Sequence, residues 1–260
     1  MRYLCLFVAV LLSLLIAACD SDDDEGTLDE DGRLINIPPG GVDFGVLQHF
    51  SVATHQTDIT DLADEDGYSL TLAADSQVII SVESLDIVNP FVELYDAEGF
   101  FITADEDSGV GSDALIVDAL GAGDYTIVVL SSLDGPVIGD YELNVLVGAP
   151  GADLGLLDVG ATATLNGIAI AAGNTAQSYV FTLSSPSTVN IAVLQSAGTA
   201  DLALQLVNQR GDEVFFIDPV GLDDPVVLDT LLDRGTYLLS VSNELSAGAG
   251  VYDLTVEVRP

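Results

Sequence analysis

The sequence predicts an all-β protein made of two tandem β-sandwiches, and two observations carry that expectation. From about Val46 onward, short runs rich in Val, Ile, Leu, Thr and Tyr alternate with clusters of Gly, Asp, Asn and Pro every eight to fifteen residues, the rhythm of a sandwich rather than of a helical domain. The stretch Gly123-Asp124-Tyr125-Thr126-Ile127-Val128-Val129 also returns 112 residues later as Gly235-Thr236-Tyr237-Leu238-Leu239-Ser240-Val241. A repeat of that length is a duplicated domain, because solenoid units run only about 20 to 50 residues.

Met1-Arg2 is a minimal basic start, followed by an apolar run from Leu4 to Ala18. That run is shorter than the roughly 20 residues a membrane-spanning helix needs, and it reads as a secretory signal over residues 1–18. Its end, Leu15-Ile16-Ala17-Ala18-Cys19, resembles the bacterial lipobox, in which the cysteine is acylated and becomes the mature N-terminus. The resemblance implies lipidation at Cys19 and attachment to the bacterial cell envelope, on its periplasmic or its surface face. The only other cysteine is Cys5, so the body of the protein carries no disulfide framework. Residues 19–44 open with Asp20-Ser21-Asp22-Asp23-Asp24-Glu25. Such a block repels itself, stays extended and serves as a tether.

The first domain is expected over 45–148, a linker over 149–154, and the second domain over 155–260. Tyr68-Ser69-Leu70-Thr71-Leu72 aligns with Tyr179-Val180-Phe181-Thr182-Leu183, and Val78-Ile79-Ile80-Ser81-Val82 with Val189-Asn190-Ile191-Ala192-Val193. The closing strands Tyr141-Glu142-Leu143-Asn144-Val145 and Tyr252-Asp253-Leu254-Thr255-Val256 align as well. Period-2 alternation puts Val189, Ile191 and Val193, Tyr237, Leu239 and Val241, and Tyr252, Leu254, Val256 and Val258 in the core. Asp96-Ala97-Glu98-Gly99 and Asn208-Gln209-Arg210-Gly211 read as hairpins with glycine where φ must be positive, and Gly123 and Gly235 open their strands in the same way.

The Tyr-x-Phe/Leu-x-Leu strand, the Leu-Tyr-Asp-x-x-Gly hairpin at residues 94–99, the Gly-x-Tyr strand and the closing Tyr-x-Leu-x-Val together resemble the bacterial pre-peptidase C-terminal domain, twice over. The resemblance implies two tandem jelly-roll-like antiparallel β-sandwich domains. It also implies an accessory role in secretion, in substrate or surface binding, or in calcium-dependent stiffening. No peptidase sequence precedes the two copies in this chain.

Forty-two acidic residues face five arginines and no lysine, a net charge of −37. Removal of Arg2 with the signal leaves −38, since residues 1–18 hold no acid. Nucleic acid and bare anionic membrane are thereby excluded as partners. The charge suits saline surroundings, where salt screens it, or a calcium-rich exterior, where carboxylates become ligands. Acidic edge strands discourage edge-to-edge pairing, so a monomer is expected.

No cofactor is required by any motif. Calcium is the candidate ligand, because hard cations take several oxygens from flexible loops. Two clusters offer them: Asp61, Asp64 and Asp66 before the Tyr68 strand, and Asp105, Asp107 and Asp113. Asp218, Asp223 and Asp224 form the only comparable group in the second copy. His49 and His55 are six apart, a spacing that suits neither the His-x-x-x-His turn of a helix nor same-face alternation across a tight loop, and they read as surface residues. With no Gly-x-Ser-x-Gly, no His-Glu-x-x-His, no lysine and no tryptophan platform for sugars, catalysis is not expected. The expected role is a lipid-anchored, non-catalytic envelope module. It would bind a cationic protein or a surface polymer, serve as a passive spacer adapted to salt, or assist a secreted peptidase in trans.

Overall fold

The computed structural model describes residues 27–28, 34–38, 41–132, 135–173, 175–218, 226–243 and 248–260, and those residues contain no helix. The signal, Cys19, most of the acidic tether, and Asp223 and Asp224 lie outside them. A short pair, β1 (Thr27–Leu28) and β2 (Leu34–Asn36), precedes the first sandwich. That sandwich comprises β3 (Asp43–Leu47), β4 (Val52–Ile59), β5 (Asp66–Leu72), β6 (Ser76–Ser84), β7 (Pro90–Asp96), β8 (Phe101–Asp105), β9 (Ala114–Leu120), β10 (Gly123–Ser131) and β11 (Gly139–Gly148). The second comprises β12 (Gly151–Leu157), β13 (Thr162–Ile170), β14 (Thr175–Leu183), β15 (Ser187–Gly198), β16 (Leu202–Asn208), β17 (Glu213–Ile217), β18 (Val226–Leu232), β19 (Gly235–Asn243) and β20 (Gly250–Arg259).

The duplication holds strand for strand. A five-stranded sheet β3-β5-β10-β7-β8 faces a four-stranded sheet β4-β11-β6-β9, and the second copy repeats this as β12-β14-β19-β16-β17 and β13-β20-β15-β18. Register repeats too: Tyr68 lies opposite Ile127, and Tyr179 opposite Leu239. The chain is thus two jelly-roll-like β-sandwiches, as the alternation requires. Every core position named from the period-2 pattern is buried, and each copy closes around its own apolar cluster. Stacked aromatics, Phe44 on Tyr68 and Phe181 on Tyr237, fill corresponding sheets at 5.6 and 5.4 Å between ring centroids.

Two expectations change. The segment 149–154 is not a free linker: Gly151–Leu157 is an edge strand pairing parallel with β14, and only Ala149 and Pro150 connect the copies. Likewise the first sandwich begins at Asp43, where β3 pairs parallel with β5. Both edge strands carry one bulge device that hides the period-2 signal. Asp43 Oδ1 accepts the N–H of Gly45 and Asp153 Oδ1 that of Gly155, at 2.8 and 2.7 Å, with the glycines at φ 67° and 73°. The register slips there, so inward and outward residues exchange places mid-strand.

The hairpins form as expected. Gly99 and Gly211 sit at φ 81° and 87°, and Asp96 and Asn208 do the same work in the two copies. The Asp96 carboxylate accepts from Glu98 and Phe100 N–H, and the Asn208 side-chain Oδ1 from Arg210 and Asp212 N–H. Gly123 and Gly235 open their strands at φ 151° and 150°, but not as hairpins. There the chain crosses from the four-stranded to the five-stranded sheet.

A third cluster lies between the sandwiches. Ile79 and Leu146 from the outer side of the first copy's four-stranded sheet, with Leu115, pack against Val180 and Leu238 from the outer side of the second copy's five-stranded sheet.

Candidate functional site

The most elaborate polar arrangement in the described residues stands at one end of the first sandwich core. β5 starts with Asp66, whose side chain turns inward and leaves the residue 4% exposed. The Tyr141 hydroxyl, from β11, donates to Asp66 Oδ2 at 2.5 Å, and the Tyr68 and Tyr141 hydroxyls are 2.6 Å apart. Because Tyr141 gives its proton to the carboxylate, Tyr68 donates to Tyr141, forming a relay of three buried groups. The His55 ring from β4 lies against Tyr68 at 5.6 Å.

Burial pushes the Asp66 carboxyl above the usual range. The Tyr141 hydrogen bond pulls it back, Asp64 and Asp58 raise it further, and His55 opposes them. Tyr68 and Tyr141 are both pushed far up, chiefly by desolvation. The same end holds two buried hydroxyls with no partner among the described residues, Ser84 Oγ and Ser131 Oγ. Ser84 pairs across the ladder with Tyr141, and Ser131 lies two residues beyond the partner of Asp66.

The second copy builds the equivalent end without the acid. Tyr179 and Tyr252 hydroxyls are again 2.6 Å apart, but both reach Gln177 Oε1, at 3.0 and 2.8 Å. The tyrosine pair is therefore part of the scaffold, and the ionisable group is what distinguishes the first copy.

The two acidic clusters named from sequence are organised as turns. Asp64 Oδ2 accepts Thr60 N–H and its hydroxyl, both at 2.7 Å, and Asp61 Oδ1 accepts Ala63 N–H at 2.8 Å. Asp66 faces away from them, toward Tyr141. In the other cluster Asp105 accepts from Ser108 N–H and hydroxyl and from Leu115 N–H. Asp113 Oδ1 accepts Ser84 N–H at 3.0 Å, and Asp107 is exposed. Burial raises the Asp113 carboxyl, and so does Glu83, while Arg210 and Arg234 act against the shift. Among the described residues no three His, Cys, Asp or Glu side chains come together around a common point for a metal. The histidines are separate: His49 Nε2 lies 3.0 Å from the Asp75 carbonyl, while His55 joins the Tyr68 stack.

Sequence reasoning placed Asp66 in a surface loop cluster and did not single out Tyr68 with Tyr141 as a polar pair. The available signal was the aligned Asp66 and Gln177, an acid and an amide of similar reach two residues ahead of matching tyrosines.

No protein-family model and no curated protein matches this chain. Among solved structures, one sandwich is similar to the pre-peptidase C-terminal domain of collagenase from Bacillus anthracis. The two share 19% identity over 42% of this chain and 98% of that one, with a TM-score of 0.35. A periplasmic inhibitor of g-type lysozyme from Aeromonas hydrophila shares 15% identity over 40% of this chain and 98% of its own, with a TM-score of 0.30. The CUB1-EGF-CUB2 region of human MASP-1/3 spans 80% of this chain and 99% of its own at 9% identity and a TM-score of 0.27.

Proposed function

We propose that this chain is a non-catalytic envelope lipoprotein, anchored through Cys19, whose paired sandwiches present an anionic surface to a cationic protein or to a polymer bridged by divalent ions. The supporting observation is the state of its acids. In both first-copy clusters, carboxylates accept main-chain N–H groups of the turns around them, so their positions on the surface are fixed by the fold. Charge held in this way steers oppositely charged partners and sets the salt dependence of the encounter.

The test is capture from envelope extracts by the full-length chain, in calcium and in chelator. A partner displaced by monovalent salt supports the reading. No partner under either condition favours a passive spacer. Capture of a secreted peptidase favours action in trans.

A further inference from the structure

We propose that the two sandwiches are joined face to back as one rigid body, and that this joint is built to form only once. The chain is then a closed two-domain unit rather than a link in a self-propagating stack. The inference is independent of what the surface binds.

The joint uses one face of each copy. On the first, the outer side of the four-stranded sheet contributes Ile79 and Leu146, with Leu115 on its edge strand; on the second, the outer side of the five-stranded sheet contributes Val180 and Leu238. These five are between 0% and 7% exposed. A polar clamp adjoins them. Glu83, itself 2% exposed, forms an ion pair with Arg210 and accepts from Gln209 Nε2 at 3.4 Å. Ser81 Oγ donates to the Gln209 carbonyl at 3.2 Å, and Arg234 to the Gly109 carbonyl at 3.2 Å. A carboxylate this buried depends on its charged partner, so the Arg210 contact is what makes its position tolerable. The connection of only Ala149 and Pro150 leaves the copies little freedom to separate.

Because the copies align strand for strand, each joint residue has a counterpart on the face that would have to repeat the contact. On the second copy's four-stranded sheet, Asn190 stands for Ile79 and Glu257 for Leu146, while only Val227, the counterpart of Leu115, stays apolar. Asp229 stands for Val117, which flanks the apolar cluster. Arg259 bridges Glu257 and Asp229 at 2.6 and 3.1 Å, so an ion network occupies the place of the apolar seam. Leu194 replaces the clamped Glu83.

On the first copy's five-stranded sheet, Ser69 stands for Val180, Thr126 for Leu238, and Glu98 for Arg210. That face is also crossed by the preceding chain: a Cβ on Gly67 would stand 2.5 Å from Ile37 Cγ2 and from the Pro38 carbonyl. A head-to-tail contact that does not close would otherwise generate open filaments, and here neither free face has its complement.

Calorimetry, hydrogen exchange and sedimentation velocity on the full-length chain test both halves. We expect one cooperative unfolding transition, split into two by Leu238→Asp, with faster exchange in β6 and β14. Arg210→Glu should split it likewise, and Glu83→Arg combined with Arg210→Glu should restore it. Arg210 is exposed, so this charge pair remains informative if Leu238→Asp does not fold. Two transitions in the unaltered chain, or a single one unmoved by Arg210→Glu, overturn the rigid joint. A concentration-dependent ladder of oligomers in sedimentation overturns its single use, whereas a monomer at every concentration supports it.

Discussion

Asp66 and Gln177 occupy matching positions in the two sandwiches, each accepting the hydroxyl of a buried tyrosine from the closing strand, Tyr141 in one and Tyr252 in the other. One accepts as a carboxylate and the other as an amide, so the molecule contains its own neutral control.

The first prediction concerns pH. Burial raises the Asp66 carboxyl in the folded state, so folding favours its protonated form. The stability it contributes is whole below the unfolded value of about pH 4 and is lost as pH rises through the folded value. Asp66→Asn should remove this component. The stability of the natural chain minus that of the variant, from urea midpoints, should be largest at the acid end and shrink toward neutral pH. A difference constant across that range would refute the assignment.

Tyrosine deletion should be asymmetric. Tyr141→Phe strips the buried Asp66 of its hydroxyl donor and should cost about 1–3 kcal/mol, the penalty of an unsatisfied buried polar group. Tyr252→Phe leaves Gln177 with Tyr179 and should cost about 0.5–1.5 kcal/mol, the net worth of one hydrogen bond. Denaturant titration of both variants at neutral pH compares them directly.

Gly99 and Gly211 share a left-handed conformation, so Gly99→Ala should destabilise by about 1 kcal/mol. Gly211→Ala should cost more, because the new methyl would lie 2.5 Å from Val52 Cγ1 in the other sandwich. Equal losses in thermal melts would show that Val52 gives way freely.

Calcium and ionic strength can be separated by melting at constant ionic strength. With Asp61, Asp64 and Asp105 already accepting N–H groups of their own loops, millimolar calcium should shift the midpoint no more than an equal screening by sodium. A sharp calcium-specific rise would instead assign these loops as ligands, and Asp61→Asn with Asp64→Asn should then abolish it.

Anchoring is checked by Cys19→Ala. Loss of palmitate labelling and movement of the protein from the membrane to the soluble fraction is the expected outcome. A membrane-bound variant would refute lipidation at that residue.

The strand runs, core faces and hairpins were legible because their causes are local: period-2 alternation selects the buried side, and glycine supplies positive φ. The parallel edge strands were not, since the bulges at Gly45 and Gly155 reverse the alternation within five to seven residues. The joint did leave a trace. Val78-Ile79-Ile80-Ser81-Val82 and Leu143-Asn144-Val145-Leu146-Val147 are nearly continuous apolar runs, whereas Val189-Asn190-Ile191-Ala192-Val193 and Leu254-Thr255-Val256-Glu257-Val258 alternate. A continuous run marks a strand covered on both sides. The tyrosine-acid relay left only the alignment of Asp66 with Gln177 as a trace, because Asp66 lies in a stretch so rich in acids that its inward turn depends on the tertiary placement of Tyr141.

The divergence between Ile79 with Leu146 and Asn190 with Glu257 also fixes the sequence of the halves along the chain. Transposing them would leave an apolar sheet face open to water at one end and set an ion network against serine and threonine at the seam. The two copies share one fold, yet their order along the chain is not interchangeable.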